Sequence, residues 1–165
     1  MGSARISDCG QYRYTLTRSI PASMWGTGDD AREAVFVMLN PSTADATEDD
    51  PTIRRCLGFA QAWGRTGLTV ANLYALRSTD PKALWKHSDP VGPENDDVLA
   101  GLAKQHRELV CAWGANAKPA RVSRFRELIE GNGGTLLCLG TTKDGAPRHP
   151  LYLSKASQLQ KWGIL

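Results

Sequence analysis

The 165-residue chain is short of most features that would settle its function at a glance. No apolar run approaches the roughly 18 to 20 residues a spanning helix needs, so a membrane class is not suggested. Met1 to Arg5 are not followed by the apolar run of a signal peptide, which points to the cytoplasm. Neither a G-x-x-x-x-G-K-S/T loop nor a G-x-G-x-x-G fingerprint occurs, and nucleotide-triphosphate hydrolysis and dinucleotide redox chemistry lose their usual support. Ser42 lies in no G-x-S-x-G elbow, which weakens an esterase reading. Cys9, Cys56, Cys111 and Cys138 form no C-x-x-C pair, and the last three sit in apolar stretches as small buried thiols. One-sided charge is also missing. The 20 basic and 17 acidic residues leave +3, which allows a polyanionic partner without requiring one.

What is present is an ordinary globular composition, 41% hydrophobic and 22% charged, on a chain long enough for one core. Four apolar runs at 34–39, 68–73, 109–113 and 135–139 read as strands buried on both faces, each ending in a polar or glycine-bearing segment. Helical patterns separate them. Asp50-Pro51 and Asp80-Pro81 are N-cap and first-position pairs, and further helical patterns cover 93–106 and 118–130. Strands alternating with helices predict a three-layer α/β/α domain around a mainly parallel four-stranded sheet, because parallel neighbours need crossovers. The expected organisation is a single domain. Residues 1–33 supply an N-terminal edge strand, from the alternation over Tyr12 to Thr17, and a loop; 34–153 form the core; 154–165 form a last helix.

In an open sheet of this kind ligands bind beyond the carboxyl ends of the strands, so the residues just after each run are the candidates. They are Asn40-Pro41-Ser42-Thr43, Asn72-Leu73-Tyr74, Trp113-Gly114-Ala115-Asn116 and Gly140-Thr141-Thr142, with Arg148-His149-Pro150 following. Asn40 before a proline also fits an Asx-turn, and His149 between prolines also fits a solvated loop. Asn72 interrupts a buried strand, where an amide needs partners. Asp45, Glu48, Asp49 and Asp50 cluster, but a helix cap in a solvated loop accounts for them, and neither a metal nor a cofactor is expected.

Taken in order, these strand ends resemble the uracil-DNA glycosylase superfamily, and the whole chain looks like a bacterial family of unknown function, the DUF1643 proteins. Val37-Met38-Leu39-Asn40-Pro41-Ser42 is similar to the motif that holds the hydrolytic water. Asn72 matches an asparagine that reads the base edge, and His149-Pro150 a turn that contacts the base and enters the duplex. The resemblance implies a uracil-DNA glycosylase-like fold. It also implies catalytic Asn40 and His149, base contacts from Asn72, Pro41, Ser42 and Tyr74, and nucleic-acid contacts from Lys143, Arg148, Pro150, Leu151 and Tyr152. Departures are visible: Met38-Leu39 replaces the usual glycine, Ser42 stands where some members have an aromatic residue, and Pro150 is followed by Leu151 instead of serine. The implied function is a glycosylase-like hydrolase removing an unusual or modified base from DNA. The alternatives are a non-catalytic nucleic-acid or nucleobase binding module, and an enzyme acting on a free nucleoside or nucleotide. Asn40 limits the chemistry, since a neutral carboxamide can orient water but cannot take its proton.

Overall fold

The computed structural model describes residues 2–25, 32–42 and 48–163. In chain order the strands and α-helices are β1 (Gly2–Ile6), β2 (Arg13–Ser19), β3 (Glu33–Met38), α1 (Pro51–Ala62), β4 (Gly67–Asn72), α2 (Asn95–His106), β5 (Glu108–Cys111), α3 (Pro119–Gly131), β6 (Thr135–Cys138) and β7 (Gln160–Lys161). Short 3-10 helices lie at Ala22–Met24, Pro81–Lys86 and Pro150–Tyr152. Asp80-Pro81 therefore starts a 3-10 segment, with the Asp80 carboxylate accepting from the Lys82 amide at 2.9 Å.

The sheet has seven strands in the order β1-β2-β4-β3-β5-β6-β7. Its interior pairings, β4 with β3, β3 with β5 and β5 with β6, are parallel, and the flanking ones, β1 with β2, β2 with β4 and β6 with β7, are antiparallel. The expected four-stranded, mainly parallel sheet is thus corrected to a mixed sheet of seven. β1 and β7 carry weak apolar patterns because they border the core, whereas β2 buries Tyr14 and Leu16 in it. β1 and β7 are mostly exposed. β2 is not an edge, since β1 covers it. The helix expected over 154–165 is replaced by a turn and β7. That course lets the Trp162 amide bond the Leu136 carbonyl at 2.9 Å and sets the Trp162 ring edge-on to Trp113. Residues 164–165 of that expected helix lie outside the described residues.

Strand residues alternate between faces, and β3 shows the consequence. Val35 and Val37 join a core with Leu99 and Leu102 of α2 and Phe125 and Ile129 of α3. Ala34, Phe36 and Met38 join a second core with Ile53, Cys56, Phe59 and Ala60 of α1. Burying each large apolar side chain is worth roughly 1.5–3 kcal/mol, so both faces of β3 are anchored. α1 begins where the Asp50 carboxylate accepts from the Ile53 amide at 2.8 Å, with Pro51 in the first turn losing no bond it needed. Of the four cysteines Cys9 is exposed, the other three are buried, and all are free. Among the described residues no helix is long and apolar enough to cross a membrane.

Candidate functional site

Three parallel strand ends and the turn after a fourth open onto one cleft of about 560 Å³. Asn40 and Ser42 enter it from the end of β3, Asn72 from the last residue of β4, Trp113 to Asn116 from the end of β5, and Thr142, Arg148 and His149 from the segment after β6. The first turn of α1 adds Asp50, Thr52 and Ile53. Val70 and Met38, both in the α1-side core, form part of the floor. Asn72 shares their face because it lies two residues beyond Val70 on the same strand.

Asn72 is only 2% exposed, and its side chain makes no hydrogen bond to any described residue. Its amide opens into the cleft, where both its donor and its acceptor stay available to a ligand. Asn40 differs. Its Nδ2 donates to the Ser78 carbonyl at 2.9 Å and the Pro41 carbonyl at 3.2 Å, while the Ser78 amide donates back to the Pro41 carbonyl at 3.0 Å. Its amide nitrogen fastens two loops, and Oδ1 is the group left for a ligand.

His149 is positioned by two turns that need glycine. Gly114, at φ +77, donates its amide to the Pro147 carbonyl at 2.8 Å, and Gly140, at φ +138, accepts from the Arg148 amide at 2.9 Å. A side chain at either position would meet backbone strain. Nδ1 of His149 accepts from the Leu151 amide at 3.3 Å, so the neutral ring carries its proton on Nε2. Burial holds this imidazole below its usual range, and the Asp50 carboxylate pulls against that effect. At neutral pH His149 is an uncharged hydrogen-bond donor.

Two residues in the cleft escaped the sequence reading. Asp50 caps α1 through one oxygen, while Oδ2 accepts from Ser42 Oγ at 3.1 Å. Its capping role is readable in the sequence; its second role depends on Ser42 lying within hydrogen-bond distance of it. Arg13 also lines the cleft and is 3% exposed. Burial and then the neighbouring Arg77 push its guanidinium down to about 10, against the pull of Asp50, so it stays a cation at neutral pH. The rule of strand carboxyl ends misses Arg13 because β2 is antiparallel to β4. Leu16 pairs with Val70, so the amino end of β2 reaches the level at which β4 finishes.

Of the other predicted residues, Ser42, Arg148 and Tyr152 line the cleft, whereas Pro41, Tyr74, Lys143, Pro150 and Leu151 do not. Tyr74 turns into the opposite core, edge-on to Trp85, with its hydroxyl accepting from the Lys118 amide at 3.3 Å. Pro41 and Pro150 are buried supports. Lys143 is exposed on the turn after β6. Leu151 borders a separate groove with Arg54, Arg55 and Lys155, next to Tyr152, which is 75% exposed. In the acidic segment, Asp49 pairs with Arg18 at 2.7 Å. Asp45 and Thr43 lie outside the described residues. Among the described residues no group of three or more His, Cys, Asp or Glu side chains is placed to hold a metal ion.

The site can therefore present an amide edge from Asn72, a neutral donor from His149, a buried cation from Arg13 and a carboxylate from Asp50. Comparison with known proteins adds a family. A family model described as "Protein of unknown function (DUF1643)" matches residues 13–151, which spans the cleft from Arg13 to His149. No curated protein and no solved structure matches the chain.

Proposed function

From the premise that the chain belongs to the DUF1643 family, whose description assigns no activity, we propose that it hydrolyses the N-glycosidic bond of an unusual or modified base in DNA. The observation that carries this reading is that Asn40, Asn72 and His149, from three separate segments of the chain, line one cleft. The resemblance of their motifs to the uracil-DNA glycosylase superfamily supports it. So does the presence of interior parallel strands in a mixed sheet with α-helices packed against both faces of β3, which is compatible with the fold that resemblance implies.

Breaking a base–sugar bond leaves negative charge on the departing base and positive character on the sugar. Asn72 offers both a donor and an acceptor to the amide edge of a base, and the cleft binds it. His149 Nε2–H donates to a base oxygen as its charge grows, and the positive potential of the buried Arg13 cation favours that charge. Asn40 Oδ1 orients the attacking water. A base in a duplex has to be flipped out at a cost of roughly a few kcal/mol, which is least for damaged, mismatched or single-stranded targets. Arg148 and the exposed Tyr152 stand at the rim to meet the strand.

The test is base release from single- and double-stranded oligonucleotides carrying uracil, hydroxymethyluracil and other modified bases. The expected result is an abasic product from at least one, with His149→Ala slowing release about 10²- to 10³-fold. Absence of product from every substrate refutes the hydrolase. A second reading, a non-catalytic nucleobase-binding module, is favoured by the commitment of the Asn40 amide nitrogen to Ser78 and Pro41. It predicts salt-dependent oligonucleotide binding, weakened by Asn72→Ala, with no base release. A third, an enzyme acting on a free nucleoside or nucleotide, predicts thermal stabilisation by that small molecule and none by an oligonucleotide.

A further inference from the structure

Hydrolysis in the cleft requires a group that takes the proton of the attacking water, and Asn40 is chemically unable to do so. The other ionisable groups lining the cleft divide sharply. Arg13 and Arg148 are cations with no lone pair to offer. His149 already receives the Leu151 amide on Nδ1, and its remaining nitrogen carries the proton it donates. The Tyr152 hydroxyl belongs to a ring at the exposed rim. Asp50 is the one carboxylate among the described lining residues.

We propose that Asp50 is the proton acceptor of the hydrolysis, with Ser42 fixing the orientation of the accepting oxygen. This rests on the hydrolase reading above. Oδ1 is held by the Ile53 amide at 2.8 Å and Oδ2 by the Ser42 hydroxyl at 3.1 Å, so the carboxylate plane is set from both sides. Each carboxylate oxygen accepts two hydrogen bonds, which leaves Oδ2 one lone-pair position for a water. The water oxygen bonds to the anomeric carbon, the carbon–nitrogen bond breaks, and its electron pair leaves with the base. Asp50 takes the water's proton and yields it to the departing base anion or to solvent, so the products are the free base and the sugar hydroxyl. Being the cap of α1 places Asp50 on a rigid element, in the cleft that the Arg13 cation also lines.

The experiment uses Asp50→Asn in the full chain. Asparagine caps a helix as well as aspartate, so α1 keeps its start while the proton acceptor is removed. Single-turnover base release, affinity for the same modified-base oligonucleotides and the melting temperature are measured together. The expected result is a rate lower by about 10²- to 10⁴-fold, with affinity within about threefold of wild type and an unchanged melting temperature. Asp50→Ser, which also caps, decides the matter if the amide variant melts early. Ser42→Ala is expected to lose less, about tenfold in rate, because the carboxylate remains. Base release by a folded Asp50 variant within about threefold of wild type overturns the proposal and leaves the hydrolase reading standing. A wild-type protein that releases no base from any substrate overturns the hydrolase reading itself, and this proposal with it.

Discussion

Two buried amides at the end of β4 are used in opposite ways. Asn95, 0% exposed on α2, donates to the Asn72 and Leu73 carbonyls at 3.0 and 3.1 Å. Arg121 of α3 reinforces it, donating to the Leu73 carbonyl at 2.8 Å and pairing with Asp96 at 2.7 Å. Asn72 itself, on the other face, makes no side-chain bond to a described residue and opens into the cleft. One side fastens the strand end to two helices; the other leaves hydrogen-bonding capacity for something else. The difference shows that burial alone does not distinguish a structural amide from a functional one. What distinguishes them is where their bonds go.

Breaking the structural side gives the largest effects. Arg121→Met is expected to lower stability by about 3 kcal/mol, since it strips the Leu73 carbonyl of a charged donor and leaves Asp96 with only the exposed Arg124, a loss read by denaturant unfolding. Asn95→Ala, leaving the Asn72 carbonyl without its side-chain partner in the core, should cost about 2 kcal/mol in the same assay. On the functional side the sign of interest reverses. Asn72→Leu should leave stability within about 1 kcal/mol of wild type, because no bond is lost, yet weaken binding of a base-bearing oligonucleotide at least about tenfold. A large loss of stability in that variant would erase the contrast.

The smallest effect concerns pH. Burial depresses the His149 imidazole below its usual value of 6.5, so the unfolded chain binds that proton more readily than the folded one. Stability is then fully present above pH 6.5 and declines as pH falls toward the depressed folded value. His149→Gln should flatten part of that decline in chemical denaturation at a series of pH values. His106 is depressed by burial in the same direction, against the pull of Glu33, and so a residual slope remains.

Much of the interior was legible because its signals are local. The apolar runs around Val35, Val70, Val110 and Leu137 became the four parallel strands within two residues of their expected limits. Asp50-Pro51 marked the start of α1 correctly. The periphery was not legible, since β1 and β7 are exposed strands held by pairing instead of by an apolar pattern. In the cleft, Asn40, Asn72 and His149 were identifiable from their places after strands. Tyr74 was misplaced because two further residues of chain swing it to the opposite core.

The sequence by itself determined the strand–helix alternation, and with it the end of the sheet at which polar groups gather, because double-sided burial and helix caps are written in neighbouring residues. Only the tertiary structure decided the membership of the site. Arg13 enters through an antiparallel pairing, and Asp50 faces the cleft with the Ser42 hydroxyl hydrogen-bonded to it. Arg13 depends on the register of strands far apart along the chain, and the Ser42–Asp50 contact on a closeness that no helix or strand period supplies, so no local pattern encodes either.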